Sequence, residues 1–367
     1  LVADLDFRVN PSDKLVKNLC AFLCQDVSRT PIFASAKSSR AGILTLELNP
    51  ARGTAEKPSA RDKAGEPPES DDVKAAKLVY RGAQLAVSEL AERFGPLLLD
   101  RVPKLWSCMA DALLEVFARV SGRLLLIFLS SAQSDLMLSP GDVQQADAIL
   151  AGDDQKGQDL VDALTVLPVA AAKLTPALHK RLASLFPALS LATRSGFAVV
   201  RYAVAKSFAT LCDINPTEGL RHVVESVVPV LGDPLNVDNR RGAIELISHL
   251  VELLDVKILP YVIFLVVPVL GRMSDPDDEV RLVATNTFAS LVKLVPLEVS
   301  VFAGPLLVLR SLTELSSPQA GLPDPPGFSD ELLAKRETER EFLMQLLDGS
   351  KVAEYKIPVD MGIALRK

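Results

Sequence analysis

The sequence has few of the residues that build catalytic or metal sites. Its 367 residues include three histidines and four cysteines, and aromatic residues make up only 5%. The histidines are scattered and form no His-Glu-x-x-His motif, and no cysteines form a Cys-x-x-Cys pair. Cys20 and Cys24 lie four residues apart, and we interpret them as small hydrophobic residues of one helical face. The sequence therefore predicts no catalytic residue, no metal site and no cofactor of its own.

Patterns for binding nucleotides or nucleic acids are also missing. No Gly-x-x-x-x-Gly-Lys-Ser/Thr loop occurs, and the nearest string, at 349–351, has no preceding strand and loop to hold phosphates. The formal net charge of −6 argues against a protein whose main function is to bind the phosphate backbone of nucleic acids. Basic residues do not gather with aromatic ones, as a platform for single strands requires. Protein binding and mechanical support are the function classes that remain.

Long apolar runs and a secretion signal are absent as well. The longest uncharged apolar run lies between Lys257 and Arg272, spans 14 residues and contains two prolines. A membrane span needs about 18 residues or more, so we predict a buried helix and no membrane partner. The first six residues carry acidic side chains where a signal peptide carries basic ones, and no initiator Met is present. We therefore expect a piece of a longer protein of the cytosol or nucleus.

What the sequence does contain is an internal repeat. The hexapeptide Val-Val-Pro-Val-Leu-Gly occurs at 227–232 and returns 39 residues later at 266–271. Each copy is followed by Asp-Pro, then by an arginine, Arg240 or Arg281, and then by apolar residues at offsets of 3, 7 and 10. An earlier copy has Arg201, with apolar residues at offsets of 7 and 10. These offsets share one face of a helix, and a composition rich in Leu, Val and Ala favours an all-α fold.

Each repeat unit is predicted to be two antiparallel helices, the first bent by an internal proline. The predicted pairs are 175–190 with 197–212, 216–232 with 237–254, and 256–271 with 277–294, and 297–314 begins another. Further helices are predicted at 12–25, 73–94, 97–118, 124–133, 142–150, 157–172 and 330–347. Helix pairs that repeat about every 40 residues resemble HEAT repeats, so the predicted fold class is an α-solenoid of antiparallel helix pairs.

The resemblance to HEAT repeats also assigns a role to charged residues in the turns. In that family an Asp and an Arg of successive repeats form a hydrogen-bonded ladder. Asp233 with Arg240 and Asp275 with Arg281 fit this pattern. Arg201 belongs to the same series, but its unit has Ser195 where the Asp should be, which leaves its ladder contact doubtful. We favour a structural role over a ligand-binding one for these residues.

Composition divides the chain into five parts. Residues 1–50 are the helical start, and 51–72, without a single large apolar side chain, form a disordered acidic and Pro-rich insertion. Residues 73–315 are the repeat array, and 316–328 are a Pro-rich connector. Residues 329–367 are a linker helix and the segment after it, with Ser329 as the N-cap and Gly349 as the stop.

The linker helix has a charged middle and apolar ends. Its apolar residues are Leu332, Leu333, Leu343, Leu346 and Leu347. A mixed-charge middle is typical of a solvated span, and a helix that docks on a neighbour is the alternative. If the helix docks, these leucines join the repeat array to the part of the protein that follows the helix.

Both ends of the chain carry a more specific resemblance. Residues 17–31 (KNLCAFLCQDVSRTP) and 42–46 (GILTL) resemble the later HEAT region of the TATA-binding-protein-associated ATPases of the Swi/Snf type, the modifier-of-transcription family. Residues 341–351 (EFLMQLLDGSK), 355–359 (YKIPV) and 365–367 (LRK) are similar to the segment that leads into the motor of that family.

The resemblance implies a nuclear, non-catalytic support that ends just before an ATPase domain. Its partners would be its own ATPase domain and, through the parent protein, TATA-binding protein and promoter DNA; ATP and Mg would bind only to the motor. The parent would be a DNA-dependent ATPase that removes TATA-binding protein from DNA. An alternative is a HEAT-repeat transport receptor or adaptor that binds protein cargo on its concave face. A hydrolase is disfavoured because no nucleophile, base and orienting group converge.

Overall fold

The structure of the protein is a computed structural model, which describes residues 11–24, 32–33, 71–118, 140–294 and 329–347. Within these ranges the chain forms helices and no strand. The predicted helices at 124–133 and 297–314, the Pro-rich connector and nearly all of the predicted insertion lie outside them. By contacts the chain divides into two compact units, residues 1–207 and 208–367.

Among the described residues, eight α-helices belong to the first unit, and a ninth runs across the boundary between the units. They are α1 (Asp13–Leu23), α2 (Asp71–Phe94), α3 (Leu98–Arg101), α4 (Pro103–Trp106), α5 (Pro140–Ala151), α6 (Asp154–Ala171), α7 (Pro176–Ala183), α8 (Phe186–Ala192) and α9 (Ala198–Ile214). Helix α1 packs against α2, α4 and α6. The core of the unit includes Leu98, Leu105, Met109, Leu113 and Phe117, none of them more than 1% exposed.

Five α-helices follow in the described residues of the second unit. They are α10 (Pro216–His222), α11 (Val237–Leu254), α12 (Val262–Arg272), α13 (Asp278–Leu294) and α14 (Asp330–Leu347). Helix α13 packs on both α11 and α12, and α14 packs on α12. The residues at offset 7 of the repeat, Ile247 and Phe288, are 0% and 2% exposed, so the predicted inward face is confirmed.

Prolines divide several of the predicted helices into shorter ones. The helix predicted over 97–118 is broken at Val102, because a residue before a proline is pushed out of the helical region and Pro103 follows it. Residues 223–227 form a π-helical turn and 228–232 a 3₁₀ turn that holds Pro229. Residues 255–261, with Pro260, are a 3₁₀ turn before α12. In the last two predicted pairs the pieces still pack on the second helix of their pair, since 228–232 pack on α11, and 255–261 and α12 pack on α13.

Pro168 shows how the fold tolerates a proline inside a helix. Proline has no backbone N–H, so the Leu164 carbonyl, four residues earlier in α6, loses its helical donor. The Ser207 hydroxyl of α9 donates to that carbonyl at 2.6 Å. A side chain on a neighbouring helix thus replaces the missing backbone bond.

The stretch Val237–Arg272 is long and apolar enough to cross a membrane by length and composition alone. Its most apolar window is 61% buried within the fold, as expected for core helices of a repeat. The stretch is also not one continuous α-helix, because Asp255 adopts a positive φ of 47° after α11 ends. Packing against neighbouring helices accounts for its apolar character.

Candidate functional site

The carboxylate of Asp275 lies at the centre of the charged network in the second unit. It is 2% exposed and accepts four hydrogen bonds. Arg240 donates two of them, from Nε to Oδ2 at 2.9 Å and from Nη2 to Oδ1 at 3.1 Å. Arg272 Nη1 donates to Oδ2 at 3.0 Å, and the backbone N–H of Asp277 donates to Oδ1 at 3.0 Å. Every acceptor position of this buried carboxylate is therefore used.

The two repeat arginines also bind the turn that precedes their own helix. Arg240 Nη1 donates to the Asp233 carbonyl at 2.9 Å, and Arg281 Nη1 donates to the Asp275 carbonyl at 2.7 Å. Arg240 therefore contacts its own turn and the following one at once. This link joins successive repeats, because the Asp233 turn precedes α11 and the Asp275 turn precedes α13.

Asp233 plays a more local part than Asp275. Its carboxylate accepts from the N–H groups of Leu235 and Asn236, at 2.9 and 3.1 Å, and from the Asn239 amide at 2.6 Å. Burial opposes ionisation, but these hydrogen bonds and the nearby Arg240 outweigh it and lower the pKa of Asp233. Asp233 closes its own turn.

The repeat that contains Arg201 has no aspartate in its own turn, and a carboxylate from another helix binds that turn instead. Arg201 is 3% exposed, and its Nη1 donates to the carbonyls of Ser195 and Gly196 at 3.0 and 3.2 Å. Asp147 of α5 supplies a carboxylate, which accepts from the Ser195 hydroxyl at 2.6 Å and from the Gly196 N–H at 2.7 Å. The arginine keeps its place in the turn, while the carboxylate comes from another helix.

A second link beside Arg240 was missed by the sequence reasoning. Arg241 donates to Asp277 from Nε and Nη2, at 3.1 and 2.7 Å, and also forms an ion pair with Glu279 at 3.1 Å. The bond to Asp277 is the main reason why the pKa of Arg241 is raised. The available signal was proximity in the sequence, since Arg241 directly follows Arg240 and Asp277 lies two residues after Asp275.

The linker helix α14 is docked on the array through its N-terminal half. Ser329 caps it, with its hydroxyl oxygen accepting from the Leu332 N–H at 3.3 Å. Leu332 is 2% exposed, Leu333 is half-buried, and α14 packs on α12. The side chains of Leu343, Leu346 and Leu347 lie outside the described residues.

Lys335 anchors the charged middle of α14. Its ammonium group donates to the Val224 carbonyl at 3.2 Å. That carbonyl lies in the π-helical turn, where residue i pairs with the N–H of residue i+5, and the residue at that position is Pro229, which has no N–H. One turn further along α14, burial raises the pKa of Glu339, against the opposing effect of Lys335. The charged middle is therefore packed against the array, not solvated as a free span.

The groups of this network form hydrogen bonds and ion pairs with one another and with the backbone. No group of His, Cys, Asp and Glu in the part of the chain that the structure describes could hold a metal ion. Burial, and then the charge of Arg221, lower the pKa of His222 to about 4. The ladder and the docked helix make up the candidate functional site.

Comparison with known families agrees with this geometry. Residues 160–301 match a model described as "Stalled ribosome sensor GCN1-like, HEAT repeats", and residues 2–108 match a domain of unknown function, DUF3535. Helix pairs linked through Asp and Arg turns, together with this match, define the class. The chain is an all-α HEAT-repeat solenoid, as the sequence predicts.

Individual relatives identify the family. The chain is 38% identical, over 97% of its length, to TATA-binding protein-associated factor mot1 of Aspergillus fumigatus, and 33% identical, over 98% of its length, to MOT1 of Saccharomyces cerevisiae. It is 32% identical, over 97%, to TATA-binding protein-associated factor 172 of Homo sapiens. The chain is thus a relative of the TATA-binding protein-associated factors. It spans only 16–19% of the length of these three proteins.

Proposed function

We propose that the chain is the support that joins a Swi/Snf-type motor to TATA-binding protein, so that ATP hydrolysis removes that protein from promoter DNA. The names of the relatives support the association with TATA-binding protein, and an association with that protein supports a nuclear location. In this proposal ATP and Mg bind to an ATPase domain of the longer protein, and the HEAT array has no catalytic residue of its own.

The docking of α14 is the observation that carries the proposal. A helix that leaves the array toward a motor transmits force only if it is fixed to the array at its base. Leu332 and Lys335 provide this fixation, one by apolar burial and the other by a bond to a carbonyl that lacks its helical donor. The ladder adds stiffness between neighbouring repeats, because Arg240 binds two successive turns.

The test is Leu332→Asp in the full-length protein. A charge in place of a buried leucine costs about 2–5 kcal/mol, which lowers the equilibrium constant for docking of α14 at least about tenfold. We expect ATP hydrolysis and binding of TATA-binding protein to persist, while the amount removed from DNA per ATP hydrolysed falls sharply.

The matched control is Glu331→Ala, because Glu331 is the exposed neighbour of Leu332 on the same helix. It should leave removal per ATP at the unaltered level. If Leu332→Asp also leaves that ratio unchanged, α14 is a tether and the coupling role is wrong. If neither binding of TATA-binding protein nor ATP hydrolysis is found in the unaltered full-length protein, the adaptor interpretation replaces the proposal.

A further inference from the structure

A cavity of about 180 Å³ opens between α2, α6 and the part of α9 that belongs to the first unit. Tyr80 of α2 forms one wall, and Leu164 and Pro168 of α6 form another. Tyr202 and Ala203 of α9 form the third. A cavity of about 150 Å³ in a protein core binds benzene, so this one has room for a single aromatic ring.

Hydrogen bonds of the chain itself hold the walls of the cavity in place. Ser207, which is 0% exposed and lies one turn after Ala203, donates to the Leu164 carbonyl at 2.6 Å and so ties α9 to α6. On α2 the Tyr80 hydroxyl accepts from the Gln84 amide at 3.1 Å. Because these walls are ordered in advance, a ligand that enters the cavity loses less free energy to ordering.

The opening of the cavity is basic. Lys206 of α9 lines the cavity and is exposed, so it lies at the opening. Two further exposed lysines lie about one helical turn from lining residues, since Lys77 precedes Tyr80 by three positions and Lys173 follows Val169 by four. Lysines from three helices therefore surround a site for an apolar ring.

Asp162 is an acidic neighbour of this opening, three residues before Thr165, which also lines the cavity. Its carboxylate accepts a hydrogen bond from the Gln158 amide at 2.7 Å, which compensates part of its charge. The chain as a whole has a formal net charge of −6, so the basic opening differs in sign from the chain around it. Charge complementarity therefore favours an acidic ligand.

We propose that this cavity binds one aromatic side chain of an acidic segment of a protein partner. The ring enters the cavity and contacts Tyr80 and Tyr202, because aromatic rings pack favourably on one another. Carboxylates on both sides of the ring meet the lysines at the opening. This inference is independent of the proposed coupling function.

The experiment measures, by isothermal titration calorimetry at low salt, how tightly the purified chain binds the unlabelled peptide Glu-Asp-Phe-Asp-Glu. A second peptide has alanine in place of phenylalanine, and a third has glutamine and asparagine in place of the acidic residues. We expect the alanine peptide to bind at least about tenfold more weakly, because it has no ring to bury. The uncharged peptide should bind about two- to tenfold more weakly, because partly exposed ion pairs each contribute little.

Variants of the chain locate the binding site. Ala203→Leu fills the cavity and should abolish binding, whereas Lys206→Met removes one charge at the opening and should weaken binding about two- to fivefold. The matched control is Lys156→Met, because Lys156 is an exposed lysine of α6 that lies eight residues before Leu164. It should leave the affinity unchanged. Circular dichroism checks that each variant is folded.

Several results would overturn the proposal. One is equal affinity for the alanine peptide, and another is an affinity that neither Ala203→Leu nor Lys206→Met changes. Free phenylacetate separates a protein segment from a small aromatic acid as the ligand, and we expect it to bind at least about tenfold more weakly than the peptide. Phenylacetate that binds as tightly as the peptide would mean that the cavity is a small-molecule site.

Discussion

Asp275→Ala is expected to lower the free energy of unfolding of the second unit by about 3–5 kcal/mol. The substitution removes a carboxylate that is 2% exposed and leaves Arg240, 6% exposed, with a buried charge and two lost hydrogen bonds. Arg272 and the Asp277 N–H lose their acceptor too. Urea unfolding followed by circular dichroism measures the effect.

Asp278→Ala is the matched control for Asp275→Ala. Asp278 also pairs with an arginine, Arg281, but its side chain is 90% exposed, and exposed ion pairs contribute little to stability. We expect this variant to unfold close to the unaltered chain. A loss below about 1 kcal/mol for Asp275→Ala would mean that the ladder does not hold the repeats together.

Phe288→Ala is expected to cost about 3–5 kcal/mol because it leaves a cavity where a large side chain is 2% exposed. Each repeat of a solenoid contacts mainly its neighbours, so the loss should concentrate in α11, α12 and α13. Urea unfolding gives the total cost, and amide hydrogen exchange shows which helices lose protection.

Leu282→Ala on the same helix is the control for Phe288→Ala, since Leu282 is 53% exposed. It should change the free energy of unfolding by less than about 0.5 kcal/mol. Equal loss of protection in α1, α6 and α13 after Phe288→Ala would contradict a quasi-one-dimensional array.

The repeat made much of the fold predictable. Offsets of 3, 7 and 10 after Arg240 and Arg281 placed Ile247 and Phe288 on the buried face, and Ser329 was correctly predicted as the N-cap of the linker helix. The positions at which helices are interrupted were harder to predict from the sequence, because a proline such as Pro103 can bend a helix or end it. Which occurs depends on the packing of neighbouring helices, and sequence periodicity does not contain that information.

The contacts of the site were less predictable than its residues. Spacing alone matches Asp233 with Arg240, yet the carboxylate that Arg240 binds is that of Asp275, 35 residues away. The resemblance to HEAT repeats implied this link between successive turns, and the spacing did not. The hydrogen bond from Lys335 to the Val224 carbonyl joins residues 111 positions apart, and no local sequence pattern predicts it. Such contacts depend on how helices pack, so only the structure locates them.

The docking of α14 is the central claim, and amide hydrogen exchange of the chain tests it most directly. If the helix is fixed to the array, its amides should exchange as slowly as those of α12, on which it packs. Leu332→Asp should then raise exchange in α14 to the rate of an isolated helix while α11 keeps its protection. Exchange of α14 at that fast rate in the unaltered chain would contradict the account, because an undocked helix cannot hold a motor to the array.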